Sequence, residues 1–436
     1  MKLSIYLLLT LILYIYLCSN GLGLTPDSYS YIAAAKSFAT SYKFSLETEN
    51  PYIAWTPLFP VLLSVFSQKM MIWVIILHGF ALLTIVLIIY KLAEKFIKND
   101  FLKTWVCLQA VFSPYLFLVS AFLWSEIIFI AILWLIIYVI SEKLSQNITN
   151  KNSYFIILIL LSNLLCLQRN VGILFVLGIT IWLYLQKINL RSLKTTFKIC
   201  HSEQSEESEL LILTPKRQIL RFAGGSPAQN DKTNYKFLYQ NLKDLVSIVI
   251  YAIFSSISFV IWQIRCELLT PNKVNLTENI FDFQLLDVLY FSAHRLSTWI
   301  FPPQVPYVLR IFLFLLLITY TLITVYKLQQ KQQLNTSYYF ANYYLFPILT
   351  FIYTVSMIIL LRNFDNDGDR YLAPVHGIFI FCLGLFFDKL ILHKIPSQGF
   401  KKKVFFAILA LFLVYPITRT LKNVYFWHTT NSNKSF

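Results

Sequence analysis

The sequence predicts an all-helical, polytopic membrane protein, on three observations. Hydrophobic residues make up 57% of the 436 and charged residues 13%, with a mean hydropathy of +0.62. That is more apolar surface than a water-soluble core can hide. The apolar residues fall in runs near the roughly 17 to 25 residues that cross a bilayer as a helix. The cations, which give a net charge of +16, gather on alternate connecting segments, as the positive-inside rule requires of cytoplasmic loops.

About eleven spans follow from the apolar runs. The first, near 3–22, opens with Met1-Lys2 and lacks a small-residue cleavage site, so it reads as an uncleaved anchor. It delivers the chain to an outer loop, 23–69. There Ser30 to Phe44 is mildly amphipathic, and Pro57 to Ser67 is too short to span yet apolar enough to embed along the surface. Spans near 70–90, 104–122, 126–141, 154–168 and 171–187 come next. The tracts 104–141 and 154–187 are each interrupted by a polar break, Trp124-Ser125-Glu126 and Gln168-Arg169-Asn170. Each tract therefore reads as two helices joined by a tight outer turn.

Residues 200–233 depart from this pattern. They run from Cys200-His201-Ser202 to Gln229-Asn230-Asp231-Lys232, are polar with Gly, Ser and Pro, and show no amphipathic period. The segment resembles a translated bacterial repeat element and reads as a mobile cytoplasmic insertion without a functional role. Spans near 245–263, 306–326, 339–361, 371–391 and 404–422 complete the chain. A second long outer loop, 264–305, carries Asp282, Asp287, His294, Arg295 and Trp299 ahead of Pro302-Pro303. Neither outer loop forms a separate unit, so 1–436 reads as one transmembrane domain.

Lys91, Lys95, Lys98 and Lys103 share one loop, Lys187, Arg191, Lys194 and Lys198 open another, and Lys389, Lys394 and Lys401 to Lys403 lie in a third. This assignment puts 23–69 on the outer face, and it makes the basic excess a topology signal instead of a nucleic-acid footprint. The six cysteines include no CxxC or Cys/His metal spacing, so neither disulfides nor zinc are implied. No Gly-rich phosphate loop is present, and nucleotide binding of the P-loop or Rossmann kind has no support.

Five places carry ionisable or aromatic residues suited to chemistry. Asp27, in Thr25-Pro26-Asp27-Ser28-Tyr29, stands where the chain has just left the first span. It reads either as the N-cap of an Ala-rich helix or as a carboxylate for surface chemistry. Glu126 is either a helix-start acid favoured by the dipole or a group facing a cavity. Arg169 either snorkels to the interface or offers its planar fork to a phosphate. Arg362 to Pro374 forms a polar junction containing Asp365, Asp367, Asp369, Arg370 and Tyr371; the acids alternate like the start of a calcium loop but lack its terminal Glu, and read as a solvated loop. His294 and Arg295 are residues of an interfacial amphipathic helix or ligands for a diphosphate or sugar, and Trp55 anchors at headgroup level or stacks on a sugar ring.

The order Thr25-Pro26-Asp27, Tyr31, Ala33-Ala34-Ala35 and Trp55-Thr56-Pro57-Leu58-Phe59-Pro60, followed by the acid at Glu126, Arg169 before Gly172, and Arg370-Tyr371-Leu372-Ala373-Pro374, resembles the GT-C membrane glycosyltransferases. The likeness is to the group that includes the lipid A aminoarabinose transferases and the protein O-mannosyltransferases. Asp27-Ser28 stands where the mannosyltransferase branch has an Asp-Glu pair. The resemblance implies a GT-C-type bundle in the cytoplasmic membrane, working on its outer face, that moves a sugar from a polyprenyl-phosphate donor to an acceptor, with inversion. It implies Asp27 as general base, Arg169 and Arg370 with Tyr371 as holders of the donor phosphate, and Glu126 as an acid positioning the acceptor or a divalent metal. Trp55, His294, Arg295 and Arg362 are further candidates for substrate contact. A transporter or lipid flippase would also fit the hydropathy, but it should place ionisable groups near the midplane of internally symmetric, broken helices. A polysaccharide polymerase or ligase shares the lipid-linked substrates and is separable only by assay.

Overall fold

The computed structural model describes residues 2–46, 50–144, 152–185, 227–269, 285–330, 337–360, 364–392 and 399–432. Among these there is no β-strand, only two isolated bridges. Helix α1 (Lys2–Cys18) ends at Gly21, whose φ of +88° is the left-handed conformation that glycine takes without strain. The loop 23–69 then builds α2 (Pro26–Ser41) and the short α3 (Leu58–Ser64).

Helix α4 (Met70–Phe96) is followed by α5 (Asp100–Val111) and α6 (Pro114–Ser120). The apolar tract 104–122, expected as one span, is broken here because Ser113 caps a new helix and Pro114 takes its first position, where a missing N–H costs nothing. Helix α7 (Glu126–Leu144) follows the Trp124-Ser125 turn, and α8 (Asn152–Gln168) and α9 (Gly172–Leu185) flank Arg169, so both tight turns fall at the expected polar breaks. Gly172 is required at the second of them, since a Cβ there would lie 2.7 Å from the Leu165 carbonyl oxygen.

The second half comprises α10 (Pro227–Leu269), α11 (Leu285–Ser297), α12 (Tyr307–Gln330), α13 (Ser337–Leu360), α14 (Phe364–Phe386) and α15 (Phe400–Ser432). The 200–233 insertion lies outside the described residues up to 226, whereas 227–233 already belongs to α10, so helix replaces the expected irregular segment there. A helix therefore occupies each predicted span. Among the described residues five stretches are long and apolar enough to cross a membrane, with shorter apolar helices beside them.

Burial separates an inner from an outer ring. The spans Asp100–Ser120 and Gly368–Lys389 are 72% buried, whereas Leu245–Leu269 is 22% and Phe400–Asn431 17% buried. Thus α5, α6 and α14 form the centre with α4 and α7, while α10 and α15 present apolar side chains outward, as lipid-facing helices do. At one end of this bundle Asp388 accepts from the Lys98 N–H (3.0 Å) and the Asn99 N–H (2.9 Å), capping the α4–α5 turn, and Lys95 pairs with Glu142. The lysines of that loop therefore gather at the end opposite the Asp27 loop.

Candidate active site

The site begins with a short backbone splice. Gly23 N–H donates to the Ala121 carbonyl (2.8 Å) and Leu123 N–H to the Gly23 carbonyl (3.0 Å), laying the first outer loop along the α6–α7 turn. The approach needs glycine, because a Cβ on Gly23 would meet the Phe122 ring at 2.6 Å. Thr25 then caps α2: its N–H donates to Ser28 Oγ at 3.0 Å, and Ser28 donates on to the Leu123 carbonyl. The N-cap is therefore Thr25, and Asp27, expected as a possible cap, lies in the first helical turn with its carboxylate available for other work.

Four side chains from four separated segments converge there. Arg370 Nη1 lies 2.7 Å from Asp27 Oδ2, and Arg370 Nε donates to Glu126 Oε1. Arg169 Nη1 pairs with the same Glu126 oxygen and also donates to Ser125 Oγ at 3.3 Å. The Trp124 ring lies under the Arg370 guanidinium, 4.1 Å from its centroid, while its Nε1–H donates to Thr25 Oγ1 at 2.8 Å. Tyr371 presents its ring to both arginines, each 5.8 Å away. A desolvated cation–π contact of this kind is worth about 2 kcal/mol.

The local sequence explains each placement. In Arg370-Tyr371-Leu372-Ala373-Pro374, Pro374 sits inside α14 and cannot donate to the carbonyl four residues back, that of Arg370. The α8–α9 turn projects three polar residues in different directions. Gln168 donates to the Ser125 carbonyl (3.0 Å), Arg169 reaches Glu126, and Asn170 accepts from Gln263 of α10 (3.2 Å). Tyr31, fully buried against Phe59, meets Ser125 Oγ at 3.2 Å, and burial first, with Glu126 next, raises its pKa so that it stays a phenol. Trp55 packs against Tyr31 at 6.2 Å, on the edge of the same region.

The other expected residues lie apart from Asp27. His294 accepts from Arg310 Nη2 (2.8 Å), and Arg295 approaches Asp369 at 3.6 Å. Asp369 is also held by Arg419 Nη2 (2.9 Å), whose Nη1 donates to the Tyr115 and Tyr415 hydroxyls, each at 3.0 Å. Asp369 thus belongs to a structured ion-pair cluster and corrects the expectation of a solvated loop, while Arg362 and the side chains of Asp365 and Asp367 lie outside the described residues. Arg310 and Arg419 were not singled out by sequence reasoning. The signal for both was an arginine within a largely apolar helix, a position that demands a polar partner.

Among the described residues no three His, Cys, Asp or Glu side chains converge, and both site carboxylates are turned to arginines. What the arrangement offers is an outward-facing carboxylate beside two cationic forks whose geometry is fixed by a buried acid, an aromatic floor and the backbone splice.

No family model matches the sequence, and no curated protein matches it. Among solved structures, ArnT from Cupriavidus metallidurans bound to undecaprenyl phosphate is similar, with a TM-score of 0.51 and 10% identity, over 98% of this chain and 76% of that one. The apo state of the same protein gives a TM-score of 0.50 and 11% identity over the same shares. In fold, the chain is similar to ArnT, a GT-C glycosyltransferase.

Proposed function

We propose that the protein transfers a sugar from a polyprenyl-phosphate-linked donor to an acceptor hydroxyl at the outer face of the cytoplasmic membrane. The observation that carries this reading is the convergence of Asp27, Arg370, Glu126 and Arg169 from four segments far apart in the chain. The fold likeness to ArnT, solved with undecaprenyl phosphate, supports the lipid carrier. Location supports it too. The lysine-bearing loop lies at the opposite end of the bundle, which the positive-inside rule makes cytoplasmic. An outer site has no access to cytoplasmic nucleotide sugars, so a lipid must bring the donor across.

Asp27 takes the proton of the acceptor hydroxyl as that oxygen bonds to the anomeric carbon, a contribution of about 10² to 10⁴ in rate for a general base. The bond from the anomeric carbon to the phosphate oxygen breaks, and its electron pair leaves with the phosphate. Arg370 and Arg169 stabilise that charge, which develops in a dry site where oriented donors are most effective. Displacement in one step inverts the anomeric centre. Glu126 meets no substrate in this scheme; it orients both arginine forks. The first outer loop, 23–69, and the second, 264–305, are read as parts of the one transmembrane domain, with α2 and α3 lining the entrance.

The test uses purified full-length protein in proteoliposomes with polar lipids extracted from its own cell envelope. Release of polyprenyl phosphate from a lipid-linked sugar is the expected result. Absence of any such release, with correctly folded protein and an extract shown to hold lipid-linked sugars, contradicts the proposal.

A further inference from the structure

The Arg370 fork is only partly used. Its Nε goes to Glu126 and its Nη1 to Asp27 at 2.7 Å, but Nη2, also buried, has no acceptor among the described residues. Glu126 Oε2 likewise has no donor among them. A buried polar atom left unmatched is costly, and a guanidinium fixed on one face by Trp124 and on two edges by carboxylates, with a third edge unmet, is suited to one more oxyanion.

Access and charge point the same way. Side-chain exposure is 1% for Glu126 and 8% for Arg169, and 6% for Arg370 against 22% for Asp27. Asp27 is the outermost member of the cluster, so an anion approaching Arg370 meets that carboxylate first. Two arginines and two carboxylates sum to zero. With Asp27 turned away the remaining three groups sum to +1, which matches the single negative charge of a phosphodiester.

We infer that Asp27 caps Arg370 in the ligand-free protein and is displaced by the donor phosphate, so that binding of the donor releases the carboxylate to meet the acceptor. This rests on the function proposed above. Donor then binds before acceptor, and the base stays masked while no donor is present. The device keeps a hydroxyl from being activated in an empty site.

The experiment measures the affinity of undecaprenyl phosphate for the full-length protein in lipid nanodiscs, in wild type, Asp27→Asn, Arg370→Gln and the double variant. A ligand that must first break a pair formed in about nine molecules of ten loses about tenfold in affinity. Asp27→Asn should therefore bind the lipid about tenfold more tightly than wild type, and in the Arg370→Gln background the same change should shift affinity less than twofold. Unchanged or weaker binding by Asp27→Asn overturns the inference. So does an equal gain without Arg370, or a gain that vanishes at about 1 M salt, since either reports bulk charge and not competition at contact. If wild type binds the lipid and Asp27→Asn gains nothing, only this inference falls; if wild type does not bind it at all, the proposed function falls with it.

Discussion

Asp369 and Arg370 are sequence neighbours that serve two different ion-pair clusters, and the contrast between the clusters separates chemistry from scaffold. Arg370 faces inward to Glu126, Asp27 and the Trp124 ring. Asp369 faces Arg295 and Arg419, the latter also held by two tyrosine hydroxyls. In the first cluster the charges are balanced, three of four are buried, and polar atoms of Arg370 and Glu126 are left over. In the second, arginines outnumber the acid and remain partly exposed, Arg419 spends its donors on Asp369 of α14, Tyr115 of α6 and Tyr415 of its own helix, and the atom left over among the described residues is an acceptor, Asp369 Oδ1. A spare buried cationic donor suits a site that receives an anion; donors spent within and between helices belong to a joint.

Substitutions can break or sharpen that contrast. The largest effect is expected from Asp27→Asn, which should lower transfer about 10² to 10⁴-fold with unchanged abundance, as read by polyprenyl phosphate release. Near-normal release would remove Asp27 from the mechanism. Glu126→Ala leaves buried Arg169 without its carboxylate and Arg370 with Asp27 alone, and should destabilise the fold by about 3 to 5 kcal/mol, visible as loss of detergent-resistant protein on heating. A Glu126→Ala protein of wild-type stability would mean that the two guanidinium groups find other partners.

In the second cluster the effects should be smaller and confined to stability. Arg419→Ala removes charge-assisted hydrogen bonds worth about 1.5 to 3 kcal/mol, with donor-lipid affinity unchanged. Arg295→Ala, at 3.6 Å and partly exposed, should cost about 0.2 to 1 kcal/mol. If either variant instead weakened binding of undecaprenyl phosphate as strongly as Arg370→Gln, the two clusters would form one site.

The helical architecture was legible because membrane spans are written in the sequence as length and apolarity, and polar breaks such as Trp124-Ser125-Glu126 and Gln168-Arg169-Asn170 mark the turns. The convergence of Asp27, Glu126, Arg169 and Arg370 was legible only as order along one face; which acid meets which arginine depends on packing. Beyond Asp369 and residues 227–233, three features were read differently from what folded. Ser113-Pro114 is a helix start hidden in an apolar run. Thr25, not Asp27, caps α2, because the backbone splice through Gly23 fixes where that helix begins. Trp124 was read only as part of a polar break, yet its ring supports Arg370 and its edge holds Thr25, contacts that no spacing rule foretells.

The central claim is that an outward carboxylate and two buried arginine forks carry out glycosyl transfer. Mass spectrometry of cell-envelope glycans tests it most directly, comparing cells without the gene and the same cells complemented with wild type or with Asp27→Asn at matched abundance. One sugar substituent should be lost on deletion, restored by wild type and not restored by Asp27→Asn. An unchanged glycan profile on deletion, or full restoration by Asp27→Asn, would contradict the account.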